Sequence, residues 1–169
     1  MVDTTAALTE ERIWDLLNDI ADPDIPVISI VELGLVRKVV ISEQTKVNVT
    51  ITPSYSGCPA MTLFKEEIKQ VLLASGATAV EISISHSPAW STDWLSEPTR
   101  EKMRKHGIAP PEGNSTDAVA LFSNGKKPIA CPHCKSTTTK LSSQFGSTPC
   151  KALWYCNSCQ QPFEYFKCY

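Results

Sequence analysis

The sequence predicts an α+β fold, a small mixed sheet with helices on one face, followed by a C-terminal Cys₄ zinc-ribbon module. Helical and strand periodicities alternate over the first 110 residues. A stretch rich in Pro, Gly and small polar residues follows, and six of the seven cysteines lie at or after Cys131. We therefore predict a first domain (1–110), a linker (111–127) and a zinc ribbon (128–169).

The first domain is predicted to run α-β-β-α-β-α, beginning with a helix capped by Thr9. That helix ends before the DPDIP turn (22–26), because proline cannot continue a helix. LVRKVVIS (35–42) and KVNVTIT (46–52) alternate as strands and are joined by a short turn.

A second helix is predicted from Pro59 to a C-terminal cap at Gly76. Its expected apolar stripe is Leu63, Ile68, Val71 and Leu72. AVEISIS (79–85) is the third strand, and SEPTREKMRKHG (96–107) is a third helix capped by Ser96.

The C-terminal module carries two C-x-x-C knuckles, CPHC and CNSC, separated by 21 residues. Four thiolates on two tight turns complete a tetrahedron around one soft ion. The predicted metal ligands are therefore Cys131, Cys134, Cys156 and Cys159. Zinc in a structural role is favoured, since a module this small has little core, and iron is the alternative. His133 lies inside the first knuckle but is not expected to be a ligand.

Cys150 and Cys168 are left over from this centre. Counted from the hairpin tip that carries the second knuckle, they are expected to approach each other across the strands. Three interpretations stay open for them: buried apolar groups, a redox pair, or two ligands of a second soft site.

Cys58 stands apart in the segment YSGCPAM, at the start of the second helix. Unpaired N–H groups and the helix dipole are expected to favour its thiolate and to lower its pKa. The alternative is a capping turn with a buried thiol. A nucleophilic enzyme is disfavoured, because the sequence positions neither His86 nor His106 as a base.

Two further motifs have a structural and a functional interpretation. Asp22 and Asp24 of the DPDIP turn are candidate hard ligands or hydrogen-bond acceptors, or they close a turn. Trp90 and Trp94 are candidate core residues or anchors for a partner.

Composition excludes several classes of protein. The formal net charge is −2, so no general basic field recruits nucleic acid or an anionic membrane. Basic residues in the ribbon are few, which argues against base stacking on its aromatic side chains. The N-terminus lacks the pattern of a signal peptide, and no apolar run has the length of a membrane span. A cytoplasmic location is expected, where cysteines stay reduced.

The motifs DPDIPVISIVELGLV and TPSYSGCPA resemble the small iron–sulfur assembly domain typified by SufT, over about Glu11 to Ser85. Two further stretches are specific to a smaller group of proteins: SPAWSTDWLSEPTREKMRKHGIAPP and the ending FGSTPCKALWYCNSCQQPFEYFKCY. They are similar to the PaaD (or PaaJ) family, whose members are encoded with the multicomponent phenylacetyl-CoA monooxygenase, a ring-1,2-epoxidase. The likeness spans nearly the whole chain.

This resemblance implies a site and a role. The family's motif cysteine corresponds to Cys58, its acidic turn to Asp22 and Asp24, and its loop threonine to Thr52. The role implied is a non-catalytic accessory factor of phenylacetate degradation that assists iron–sulfur cluster or iron insertion. Its partners are then the reductase or the di-iron oxygenase subunits, and its cargo is a transiently bound cluster.

Cys150 and Cys168 are candidate further ligands for that cargo, within one chain or across a homodimer. The alternative role is a structural adaptor of the oxygenase complex that binds zinc only.

Overall fold

The computed structural model of the chain describes residues 8–42, 45–111 and 128–167. It divides into two compact units, Met1–Trp90 and Ser91–Tyr169. In chain order the elements are α1 (Glu10–Asn18), β1 (Val36–Ser42), β2 (Lys46–Ile51), α2 (Ala60–Ala74), β3 (Ala79–Ile84), α3 (Glu97–Lys105), β4 (Ile108–Ala109), β5 (Thr139–Ser143), β6 (Lys151–Cys156) and β7 (Pro162–Phe166). No helix in these ranges is both long enough and apolar enough to cross a bilayer.

The first unit is built on a three-stranded mixed sheet of order β1-β2-β3. β1 pairs with β2 antiparallel, and β2 pairs with β3 in parallel. Alternate residues of the central strand, Val47, Val49 and Ile51, are buried, whereas Lys46 is exposed. One face of the sheet therefore carries the core, where α1 and α2 contribute Ile13, Leu17, Phe64, Ile68 and Leu72. The predicted fold class is confirmed.

The capping residues of the helices are those expected from the sequence. The Thr9 hydroxyl accepts a hydrogen bond from the Arg12 N–H at 3.2 Å, at the start of α1. Gly76 follows α2 with φ of +101°, a conformation that glycine adopts without strain. Ser96 caps α3 by accepting from the Thr99 N–H at 3.3 Å.

The predicted apolar stripe of α2 is wrong at one position. Leu63 is 54% exposed, and the buried face is instead formed by Ala60, Met61, Phe64, Ile68 and Leu72. Ala60, Phe64, Ile68 and Leu72 recur every four residues and so lie along one side of the helix, whereas Leu63 lies outside that row.

The second unit holds a four-stranded sheet of order β4-β7-β6-β5. Its edge strand β4 pairs in parallel with β7, placing Ile108 opposite Glu164. The predicted first domain (1–110) includes the residues of α3 and of β4, a strand that the sequence pattern did not predict; the structure groups both elements with the ribbon strands. The Arg100 side chain ties α3 to its surroundings by donating to the carbonyls of Leu95, Thr92 and Pro111.

Candidate functional sites: a four-cysteine centre and a lone thiol

Two matching turns bring the four knuckle cysteines together. In the first, the Cys131 N–H donates to the Ser136 carbonyl at 2.9 Å; in the second, the Cys156 N–H donates to the Gln161 carbonyl at 3.0 Å. The residues that follow each second cysteine, Lys135 and Gln160, have positive φ angles of 64° and 59°. Each knuckle is therefore a closed turn that points two sulfurs to the same side.

The four sulfurs have the spacing that a tetrahedral ion requires. They all lie within 4.8 Å of one another. Cys131 Sγ is 3.7 Å from Cys159 Sγ, and Cys134 Sγ is 3.5 Å from Cys156 Sγ. A zinc–sulfur distance of about 2.3 Å places the sulfurs of a tetrahedron about 3.8 Å apart, whereas a disulfide needs about 2.05 Å. The donor set fits a metal ion and not a pair of disulfides.

The thiols of this centre differ in how readily they ionise. Burial raises the pKa of Cys159 to about 12. A hydrogen bond from the backbone N–H of Cys159 is the main reason that the pKa of Cys156 falls to about 6. The hydrogen bonds of the second knuckle therefore favour the thiolate of Cys156, whereas burial disfavours that of Cys159.

The neighbours of the centre have structural roles. His133 is exposed and is absent from the group of four ligands. Its ring lies against Gly107, where an added Cβ would come within 3.2 Å of it. Trp154 and Tyr165 form an edge-to-face pair with ring centroids 6.4 Å apart, and both are 4% exposed. These rings belong to the ribbon core.

Cys150 is a buried thiol immediately before β6, 7% exposed. Its sulfur lies 3.0 Å from the Thr148 hydroxyl, and its carbonyl accepts from the Lys167 N–H at 2.9 Å. The register therefore sets Lys167 opposite Cys150. Cys168 lies outside the described residues, so the expected approach of the two cysteines stays a prediction.

Cys58 lies in the turn that leads into α2, with its side chain half-buried. Gly57 before it has φ of +84°, and an added Cβ there would meet nothing within 4 Å, so only the backbone conformation demands glycine. The Cys58 N–H donates to the Tyr55 carbonyl at 3.3 Å, and the Cys58 carbonyl accepts from Met61 at 3.3 Å. The thiol is held at the helix entrance and keeps partial access to solvent.

The expected lowering of the Cys58 pKa is wrong. Burial is the largest effect and raises the pKa, and the carboxylates of Asp22 and Asp24 raise it further. Hydrogen bonds from the Ala60 N–H and the Tyr55 side chain act in the opposite direction without reversing the shift. Position at a helix start favours a thiolate, but here burial and the acidic turn outweigh it.

The structure brings three of the predicted first-domain residues together. Asp22 is 8% exposed, and its Oδ1 accepts from the N–H groups of Asp24 at 2.8 Å and Ile25 at 2.9 Å, which closes the acidic turn. Both carboxylates are close enough to act on the Cys58 sulfur. Thr52 is buried at 1% exposure beyond the end of β2, and its N–H donates to the Leu35 carbonyl at 2.8 Å.

Tyr55 is a site residue that the sequence pattern did not single out. Its side chain forms a hydrogen bond with Cys58. The only available signal was its position three residues before the cysteine in the same loop. Among the residues that the structure describes, Cys58 belongs to no group of three or more metal-ligating side chains.

Two known families match successive parts of the chain. Residues 10–84 match a family described as iron–sulfur cluster assembly protein. Residues 115–167 match one described as the PaaD zinc beta ribbon domain. The first match includes Cys58 and its acidic turn, and the second includes all four knuckle cysteines.

Individual relatives agree with these matches. A protein of Escherichia coli (strain K12), provisionally named as one of the subunits of 1,2-phenylacetyl-CoA epoxidase, is 43% identical over 98% of this chain and 96% of its own length. An Fe-S protein maturation auxiliary factor of Porphyromonas gingivalis is 34% identical over 53% of this chain and 85% of its own. A domain of unknown function from Bacillus anthracis has a crystal structure that aligns with a TM-score of 0.50 at 27% identity, covering 53% of this chain and 86% of that one.

Proposed function

This chain belongs to the PaaD family, and from that premise we propose that it is a non-catalytic maturation factor for a phenylacetyl-CoA epoxidase. It assists the insertion of an iron–sulfur cluster or iron into the reductase or the di-iron oxygenase subunits during phenylacetate degradation in the cytoplasm. It does not act on phenylacetyl-CoA itself. Support comes from the iron–sulfur assembly match of the first unit and from the maturation factors among its relatives.

The observation that carries this proposal is the setting of Cys58. A half-exposed thiol stands at a helix entrance beside two carboxylates, within the segment that matches iron–sulfur assembly proteins. Thiolates are the ligands that iron–sulfur clusters require. Because the pKa of Cys58 is raised, a proton competes with the cargo for the sulfur. Such a ligand holds a cluster loosely, as a donor must. We assign Asp22, Asp24 and Thr52 to the same cargo-binding site.

One sulfur does not hold a cluster alone. Cys150 and Cys168 are the remaining thiols, and we propose them as the further ligands, supplied by the same chain or by the second chain of a homodimer. The four knuckle cysteines are reserved for a structural zinc, whose site their spacing fits.

The test is an anaerobic analysis of zinc, iron and acid-labile sulfide with an absorption spectrum. It compares the wild-type chain with Cys58→Ala and Cys150→Ala, both after expression and after reconstitution. Zinc near one per chain in all three proteins, with iron and sulfide lost in Cys58→Ala, is the expected result. Equal iron and sulfide in wild type and Cys58→Ala would contradict the assignment of the transfer ligand.

A structural adaptor that binds zinc only is the second candidate. It is favoured by the finding that, among the described residues, Cys58 belongs to no group of three or more potential metal ligands. The two roles separate by time of addition. A maturation factor becomes dispensable once its clients carry their metal. An adaptor is needed continuously for turnover by the assembled epoxidase, and its Cys58→Ala variant supports that turnover as well as wild type does.

A further inference from the structure

A groove of about 300 Å³ opens on the surface of the first unit between α2 and the acidic turn. Phe64, 2% exposed, forms its floor, and Leu63, 54% exposed, stands at its rim. The complete lining is Ala21, Pro23, Leu63, Phe64, Glu66, Glu67 and Gln70. Leu63 is the most exposed large apolar side chain of this unit among the described residues. An exposed apolar side chain at a groove that has an apolar floor is a feature of binding surfaces.

The groove shares its walls with the thiol site. Pro23 lies between Asp22 and Asp24, whose carboxylates act on Cys58. The other wall is the first half of α2, which begins at Ala60, two residues after Cys58. The groove therefore lies between the two segments that adjoin the thiol site.

The charged residues that line the groove indicate which kind of partner it binds. Glu66 and Glu67 are its two ionisable groups, and both are exposed. A partner with Lys or Arg around an apolar side chain complements this surface. A second copy docking groove to groove would set these glutamates against each other. Residues 1–7 contain one Asp and no Lys or Arg, so they complement it poorly.

We propose that this groove is the docking surface for the client of maturation, and that it receives an apolar side chain carried between basic residues. The inference rests on the proposed function and adds the surface and the chemistry of the partner. Docking here holds the client next to Cys58, so that transfer occurs within a complex rather than by free diffusion.

The test measures binding of the purified reductase subunit and of the purified oxygenase subunits to the full chain by biolayer interferometry. Leu63→Glu should weaken binding of one of these proteins at least about tenfold, because it removes a central apolar contact. The double variant Glu66→Lys/Glu67→Lys should weaken it by a similar factor, because it reverses the charge of the groove. Leu73→Glu is the matched control, because Leu73 is an exposed leucine of the same helix, at 42%, outside the groove. It should bind within about twofold of wild type. Added salt should weaken wild-type binding.

Several results would overturn the proposal. One is an equal loss of binding affinity in Leu63→Glu and Leu73→Glu, and another is no binding of either client candidate by wild type. The others are tighter binding after deletion of residues 1–7, and a wild-type dimer that only Leu63→Glu dissociates in analytical ultracentrifugation. Circular dichroism confirms that the variants fold. Cluster binding and client docking are tested by different variants. Leu63→Glu should bind iron and sulfide like wild type, and Cys58→Ala should still bind the client.

Discussion

The indole N–H of Trp90 donates a hydrogen bond of 2.8 Å to the carbonyl oxygen of Leu33, 57 residues earlier in the chain. Both residues are buried, at 4% exposure. The bond joins the SPAW segment to the VELGLV segment, where Gly34 turns the chain with φ of +70°. Of the two interpretations considered for Trp90, the structure supports the core residue, whereas Trp94 is half-buried.

Replacing Trp90 with Phe should therefore destabilise the protein. The change leaves the buried Leu33 carbonyl without its donor, and a loss of about 1–3 kcal/mol is expected. Urea unfolding followed by circular dichroism measures it. Trp14→Phe is the control, because Trp14 is only half-buried on α1 and should lose less. Equal losses at the two positions would show that ring size, and not the bond to Leu33, decides the effect.

The ends of the helices could be predicted from local residue types. Thr9 and Ser96 have the residue types that cap helices and cap α1 and α3, and Gly76 directly follows the C-cap residue of α2 with a positive φ. The grouping of α3 and β4 with the ribbon could not be predicted this way. It depends on Ile108 pairing with Glu164, a contact between distant segments to which a two-residue strand gives no periodic signal.

The two candidate sites differ in the same respect. Each knuckle is a local turn with its two ligands three positions apart, so spacing alone was enough to predict the group of four sulfurs. The ionisation of Cys58 depends on burial and on carboxylates more than 30 residues earlier. Helix position is a local property, but desolvation is a property of the folded chain, and here it dominates.

Asp24→Asn should lower the pKa of Cys58, and Tyr55→Phe should raise it. The Asp24 carboxylate disfavours the thiolate, while the Tyr55 side chain stabilises it by a hydrogen bond. The rate of alkylation by iodoacetamide, measured against pH, reports the thiolate fraction. Its midpoint should move to lower pH in Asp24→Asn and to higher pH in Tyr55→Phe.

Cys58→Ser provides the baseline for those profiles, since it removes the thiol being titrated. Shifts of the same sign in both variants would contradict the arrangement, because a general loosening of the loop exposes the thiol and acts alike on the two. Asp24 is the better choice for this test than Asp22, whose Oδ1 holds the turn by two backbone hydrogen bonds.

Cys134→Ser should abolish tight metal binding by the ribbon. Three sulfurs remain, but a closed structural site needs four ligands, and small zinc modules depend on the ion for folding. Zinc per chain should fall from about one to near zero, and the fluorescence of buried Trp154 should change as the ribbon core opens. Cys58→Ser is the matched control and should keep its zinc. Retention of zinc by Cys134→Ser would mean that another group ligates it.

The ion pair between Lys151 and Glu164 gives the last prediction. Lys151 Nζ lies 2.7 Å from Glu164 Oε2, and the lysine side chain is 4% exposed. Although burial raises the pKa of Glu164, the bonds from Lys151 and Ser147 outweigh it and hold that pKa below its ordinary value. Glu164→Gln keeps an acceptor for the Ser147 N–H but removes the negative charge beside the buried ammonium, at a loss of about 1–3 kcal/mol.

Urea unfolding of the zinc-loaded proteins at several pH values measures this loss. A carboxylate with a lowered folded-state pKa stabilises the protein above its unfolded-state pKa, and that stabilisation disappears as the pH falls through the folded-state value. Wild type and Glu164→Gln should therefore converge in stability on acidification. Lys151→Met/Glu164→Gln should recover part of the loss at neutral pH, because it removes the buried charge as well. A double variant less stable than Glu164→Gln would show that Lys151 stabilises the ribbon through contacts other than this pair.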